Sequence, residues 1–253
     1  MLLFIVPTFA QKEWKGETQD FATPDIQKKQ VFFTGDNTTV ATVEQSGSAG
    51  FVIFDGTNFG NFNFLSPITD AKVFSKKSSS GEITAIVQGG NITSLFQFEN
   101  GNFVSQGNIP VMSGDIEVKN IEITSTGNGV VIYKKFDTNS GKDQLFAASG
   151  PIDDSANWQE SSPIGDASLD LLSSFNVNLE TNGDGSIAAV FKQKDSGGND
   201  RLQGQVSFDG GVTWIGGPVD VGVGSVLTYR LSQDGKAIIF GQQGTDGSLT
   251  PVP

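Results

Sequence analysis

Residues 207–214 read SFDGGVTW. Ser207 and Asp209 offer hydrogen-bonding side chains, Gly210 and Gly211 permit positive φ, and Thr213 and Trp214 close the stretch. That composition describes a tight hairpin whose aromatic end packs back onto its own sheet. A turn of this kind decides the fold if it recurs, because fixed-interval repeats mark architectures built from one supersecondary unit.

It does recur, as the second half of a larger unit. The first half is a hairpin with a Gly/Asn/Asp/Ser turn, found at VFFTGDNTTVATVEQ, KVFSKKSSSGEITAIVQ, IEITSTGNGVVIYKK, VNLETNGDGSIAAVFKQ and YRLSQDGKAIIFGQQ. The turn glycines Gly35, Gly81, Gly127, Gly183 and Gly235 stand 46, 46, 56 and 52 residues apart. After each of the first four come another strand, a turn and an aromatic, at Phe59, Phe103, Trp158 and Trp214. Four short strands per unit predict an all-β, five-bladed β-propeller, with the apolar runs AIV, VVIY, AAVF and AIIF as its buried strands near the axis. No linker or change of composition interrupts residues 11–253, which read as one domain. A short helical turn near Leu169–Ser173 is the one exception to the β pattern.

The fifth hairpin lacks its aromatic turn, and the N-terminal LFIVPTFAQKEW has an aromatic, Trp14, without a hairpin. The two half-units complete one another, so the last blade is expected to close with N-terminal and C-terminal strands and remove two open sheet edges. SLTPV near the C-terminus is an alternative source of the closing strand. Residues 1–10 have two readings: MLLFIVPTFA is either the remnant of a secretory signal peptide ending at Ala10 or the first strand of the domain. The run is too short to span a bilayer.

Composition excludes much chemistry. There are 32 glycines and 20 phenylalanines, and a net charge of −12 that repels phosphate backbones, so no nucleic-acid partner is expected. With neither cysteine nor histidine there is no disulfide, thiolate site or imidazole base.

SFDGGVTW fits the pattern S-x-D-x-G-x-T-W through Ser207, Asp209, Gly211, Thr213 and Trp214, and so resembles the Asp-box, or BNR, repeat of sialidase-like propellers. The resemblance implies a structural hairpin on the outer part of a blade, remote from any central site. Sialidases further hold a substrate carboxylate with three arginines and attack with a tyrosine assisted by a glutamate. This chain has Arg201 and Arg230 only, and the tyrosines Tyr133 and Tyr229. Two arginines cannot build a three-arginine clamp, so the chain is not expected to be a sialidase. Arg201 reads as a solvated charge in the loop DSGGNDRLQG.

An aspartate precedes each innermost strand: Asp25, Asp70, Asp115, Asp166 and Asp220, at intervals of 45, 45, 51 and 54 residues. As turn formers they need no further role. As a ligand-binding ring at one channel mouth they would focus negative potential on a cation such as calcium, or on a basic partner. No metal is assigned and no cofactor is expected.

Two functions remain. One is a non-catalytic, secreted or surface propeller, monomeric, that binds a protein or carbohydrate ligand through one face. Its longer connections at 76–82, 137–143 and 194–201 have room for a recognition surface. The alternative is a five-bladed glycoside hydrolase, with Asp115 and Glu117, two apart on an extended strand, supplying base and acid with Asp25 or Asp166 across the channel mouth. Two N-x-T sequons, at Asn37 and Asn91, matter only in a glycosylating secretory pathway.

Overall fold

Each glycine-turn hairpin becomes a pair of adjacent antiparallel strands in its own sheet. The computed structural model describes residues 26–251 apart from 35–37, 59, 67–69, 172–176, 182–184, 195–196, 199, 223–225, 232–237 and 244–248. The first sheet joins β1 (Ile26–Phe33), β2 (Thr39–Gln45), β3 (Ser48–Phe54) and β4 (Asn63–Phe64) in chain order. The second joins β5 (Lys72–Lys77), β6 (Ile83–Gly89), β7 (Ile92–Glu99) and β8 (Asn102–Asn108). The third joins β9 (Ile116–Ile123), β10 (Asn128–Asp137), β11 (Lys142–Pro151) and β12 (Gln159–Glu160).

In the fourth, β13 (Asp170–Leu171) and β14 (Asn178–Thr181) pair with the two halves of β15 (Ile187–Lys194), followed by β16 (Asp200–Ser207) and β17 (Ile215–Gly222). The fifth holds β18 (Val226–Leu231), β19 (Ile238–Gln243) and β20 (Leu249–Pro251). Two single 3-10 turns, Pro110–Met112 and Ser155–Asn157, are the helical pieces among the described residues. No helix among them is long and apolar enough to cross a membrane.

The first strands lie beside one another in sequence: β1 against β5, β5 against β9, β9 against β14 and β14 against β18. In the first three sheets they run the same way. Lys77 Nζ, at the end of β5, donates to the Phe33 carbonyl at the end of β1. Lys76 reaches Glu122 near the end of β9 at 2.7 Å. Gln88, paired with Lys72 at the start of β5, bonds the backbone of Ile116 and Val118 at the start of β9. The sheets therefore share an entry end, where first strands begin, and a far end.

Hydrophobic burial between successive sheets holds this stack. Phe32, Val40 and Phe51 of the first sheet meet Val73, Ala85 and Phe103 of the second. Ile86 and Leu95 of the second meet Val118, Val131 and Tyr133 of the third. Val130, Ile132 and Leu145 of the third meet Leu179, Ile187 and Phe191 of the fourth. The runs AIV, VVIY and AAVF are buried as expected, yet they lie one strand in from the first strands that adjoin from sheet to sheet. A second strand has a hydrogen-bonded neighbour on each edge and a sheet on each face, which makes it the most enclosed position.

Several expectations change. Leu249–Pro251 is the third strand of the fifth sheet, so SLTPV does pair with the fifth hairpin. The N-terminal half of the closure, with Trp14, lies outside the described residues, as does Phe59. Leu169 N–H bonds the Asp166 carbonyl in a turn, but Asp170–Leu171 is strand rather than helix. Arg201 lies in β16 and not in a loop. The segments 76–82 and 137–143 sit at opposite ends, because one joins first to second strands and the other joins second to third.

Candidate functional site

At the far end, the turns after the third strands of the first, third and fourth sheets are capped by aspartate. In residues 207–214, Asp209 Oδ1 accepts from Ser207 Oγ and from the Thr213 N–H, each at 2.8 Å, and Oδ2 accepts from Thr213 Oγ1. Gly211 N–H donates to Ser207 Oγ at 2.8 Å, and Trp214 Nε1 donates to the Gly211 carbonyl at 3.1 Å. Gly210 and Gly211 have φ of 73° and 95°, where a side chain would be strained. The equivalent turns of the first and third sheets use the same device, whereas that of the second, at Asn100 and Gly101, has no aspartate. Asp154 accepts from Ala156 N–H and Asn157 Nδ2, and Asp55 accepts from the amides of Thr57 and Asn58.

Partial burial works against the Asp209 charge, but bonds from Thr213 and Ser207 outweigh it and hold the carboxyl below its ordinary 3.8. A lowered folded value favours the folded state wherever the group is ionised, and that contribution disappears as pH falls through 3.8 toward the folded value. Asp209→Asn should therefore be less stable than the parent at neutral pH, by about 1 kcal/mol. The gap should narrow in strong acid. Urea midpoints across that range test this, and a gap that stays constant with pH would contradict it.

At the entry end, the aspartates differ. Asp25 and the side chain of Asp220 lie outside the described residues. The Asp220 backbone stands inside β17, opposite Gln203, rather than in a loop before the next first strand, because VDVGV continues the outer strand. Asp70 is exposed and left-handed at φ 61°, next to the Gly47 turn whose carbonyl accepts from the Ala71 N–H. Asp115 is exposed immediately before β9. Asp166 Oδ1 accepts from Ser168 Oγ at 2.6 Å and from its N–H at 2.8 Å. Those Ser168 bonds, with attraction from Lys142, lower its carboxyl against partial burial. Asp166 thus caps its own turn, and among the described residues no three acidic groups gather to hold a metal ion.

Asp115 and Glu117 do share one side of the chain, but Glu117 is engaged. Lys119 Nζ lies 2.7 Å and Lys134 Nζ 3.5 Å from its carboxylate, and Lys134 also reaches Asp143 at 3.3 Å. Partial burial raises the Glu117 carboxyl, and the two lysines more than reverse this. A general acid must keep its proton near neutrality, whereas Glu117 is held ionised.

Tyr133 has a glutamate partner that the sequence did not reveal, since the two are 27 residues apart: its hydroxyl donates to Glu160, which Lys135 also binds. Burial first, and then Glu160, push the Tyr133 hydroxyl far above its ordinary range. With its side chain fully buried between the second and third sheets, this tyrosine is a structural donor and not an accessible nucleophile.

No family model and no curated protein matches the sequence. Among solved structures, the chain is similar to an endo-arabinase from Bacteroides thetaiotaomicron, at 11% identity over 88% of this chain and 90% of that one, with a TM-score of 0.46. It is similar to a Hadza microbial sialidase at 9% identity, 90% and 65% coverage and a TM-score of 0.45. A thermostable family-43 glycoside hydrolase matches at 9% identity, 91% and 88% coverage and a TM-score of 0.45. At this level of similarity no residue role is carried over from them.

Proposed function

We propose that this chain is a non-catalytic β-propeller of five blades, closed by its N-terminal and C-terminal strands. It works outside the cytoplasm and binds a protein or glycan ligand through the entry end of its sheets. The succession of five sheets with adjacent first strands supports the propeller. The observation that carries the non-catalytic reading is the capture of Glu117 by Lys119 and Lys134. In the pair expected from the sequence Glu117 is the acid and must keep its proton, whereas the lysines favour its charged form.

The test is to incubate the purified chain with arabino-, xylo- and sialyl-oligosaccharides and aryl glycosides from acid to neutral pH, and to screen it against glycan and surface-protein panels. Binding without turnover is expected. Hydrolysis abolished by Asp115→Asn or Glu117→Gln would establish the glycoside hydrolase instead. Turnover of a sialoside would show that two arginines suffice after all.

A further inference from the structure

Phe136 is 55% exposed although it belongs to β10, whose preceding residues from Val130 to Tyr133 are wholly buried. Register places Asp143 of β11 directly opposite it. On the other edge Lys135 pairs with Ile116, so the next residue along, Asp115, comes beside Phe136 at the entry end. Directly paired residues have Cβ atoms about 4.5–5.5 Å apart, close enough for three side chains to act on one ligand group. Ile132, two positions before Lys134 on the same face, packs against the fourth sheet. At Lys134 that face turns charged, and at Phe136 it opens to solvent. The exposed Phe33 and Phe208 lie by contrast at the far end.

The charges beside the ring are unequal in their commitments. Asp143 shares Lys134 with Glu117, while Asp115 has no hydrogen bond or ion pair among the described residues. An aromatic face flanked by carboxylates on a chain of net charge −12 is complementary to a cation. The other face of this sheet already has that arrangement internally: Lys135 Nζ sits 5.3 Å over the Phe146 ring and pairs with Glu160 at 2.9 Å.

We propose that Phe136, flanked by Asp115 and Asp143, seats a lysine or arginine side chain from a basic segment of a partner protein. This rests on the entry-end binding reading and names its partner chemistry. The ring supplies its negative face and apolar area, and the carboxylates accept the donor hydrogens of the cation.

The experiment uses the full chain and a fluorescent peptide of alternating lysine and arginine, followed by anisotropy at low and physiological salt. The parent should bind it. Phe136→Ala and Asp115→Asn should each weaken binding about three-fold or more, while Phe136→Trp retains it. Exposure of Phe136 predicts unchanged melting for these variants, so a loss of binding reads the site and not the fold. Equal affinity of parent and Phe136→Ala would overturn the proposal, as would absence of peptide binding. A neutral oligosaccharide that binds the parent and fails on Phe136→Ala would overturn it in favour of a sugar platform. Capture of another ligand through Asp70, with Phe136 uninvolved, would sink this site and leave entry-end binding intact. Glycoside hydrolysis would sink the broader reading.

Discussion

Trp158→Ala is expected to be the most destabilising single truncation, at about 3–5 kcal/mol. The indole is 3% exposed, packs with Leu95, Ile109 and Met112, and donates from Nε1 to the Pro151 carbonyl at 2.8 Å. Its seat is cut for it by glycine. A Cβ on Gly150 would lie 2.6 Å from Trp158 Cδ1, and one on Gly129 would lie 2.9 Å from Cη2. With no side chains at those two positions to fall inward, the vacated space stays open, and cavities that cannot collapse cost most. Urea denaturation at constant slope would measure the loss. A change below about 1 kcal/mol would mean that the third sheet does not depend on this plug. Trp158→Phe should fall between the two, since it keeps most of the packing and loses the Nε1 bond.

Gln88→Ala should cost about 2–3 kcal/mol, since it strands two backbone groups at once. Gln88 Nε2 donates to the Ile116 carbonyl, and its Oε1 accepts from the Val118 N–H at 3.0 Å, so one amide bridges β6 to the edge of β9 opposite its β10 ladder, at residues that are buried. Both bonded groups belong to the next sheet. The side chain thus acts as a hydrogen-bonded rung between sheets that share no backbone ladder. Gln88→Glu should recover some of the loss, because a carboxylate still accepts from Val118 but cannot donate to Ile116. If Gln88→Glu is as damaging as Gln88→Ala, the acceptor half of the bridge contributes nothing. Glu44 makes the corresponding link between the first and second sheets by accepting from the Val73 N–H at 2.9 Å.

The periodic spacing of Gly35, Gly81, Gly127, Gly183 and Gly235 was enough to place all five hairpins, because a tight turn between alternating apolar residues is a local property of the chain. The same holds for the capped turn at Asp209, whose partners Ser207 and Thr213 lie within four residues. The net charge, the arginine count and the absence of histidine and cysteine likewise needed no coordinates. What the sequence left open depends on residues distant along the chain. Asp115 and Glu117 read as a matched acid and base until β10 brings Lys134 against Glu117. Tyr133 finds Glu160 through the pairing of β10, β11 and β12, and the β10–β11 register sets Phe136 opposite Asp143 where it is exposed to solvent. Asp220 belongs to an outer strand because Gln203 is across from it, and turn chemistry alone could not say so. Local patterns determined which strands form; the electrostatic state of the entry end was decided only when neighbouring strands set side chains opposite one another.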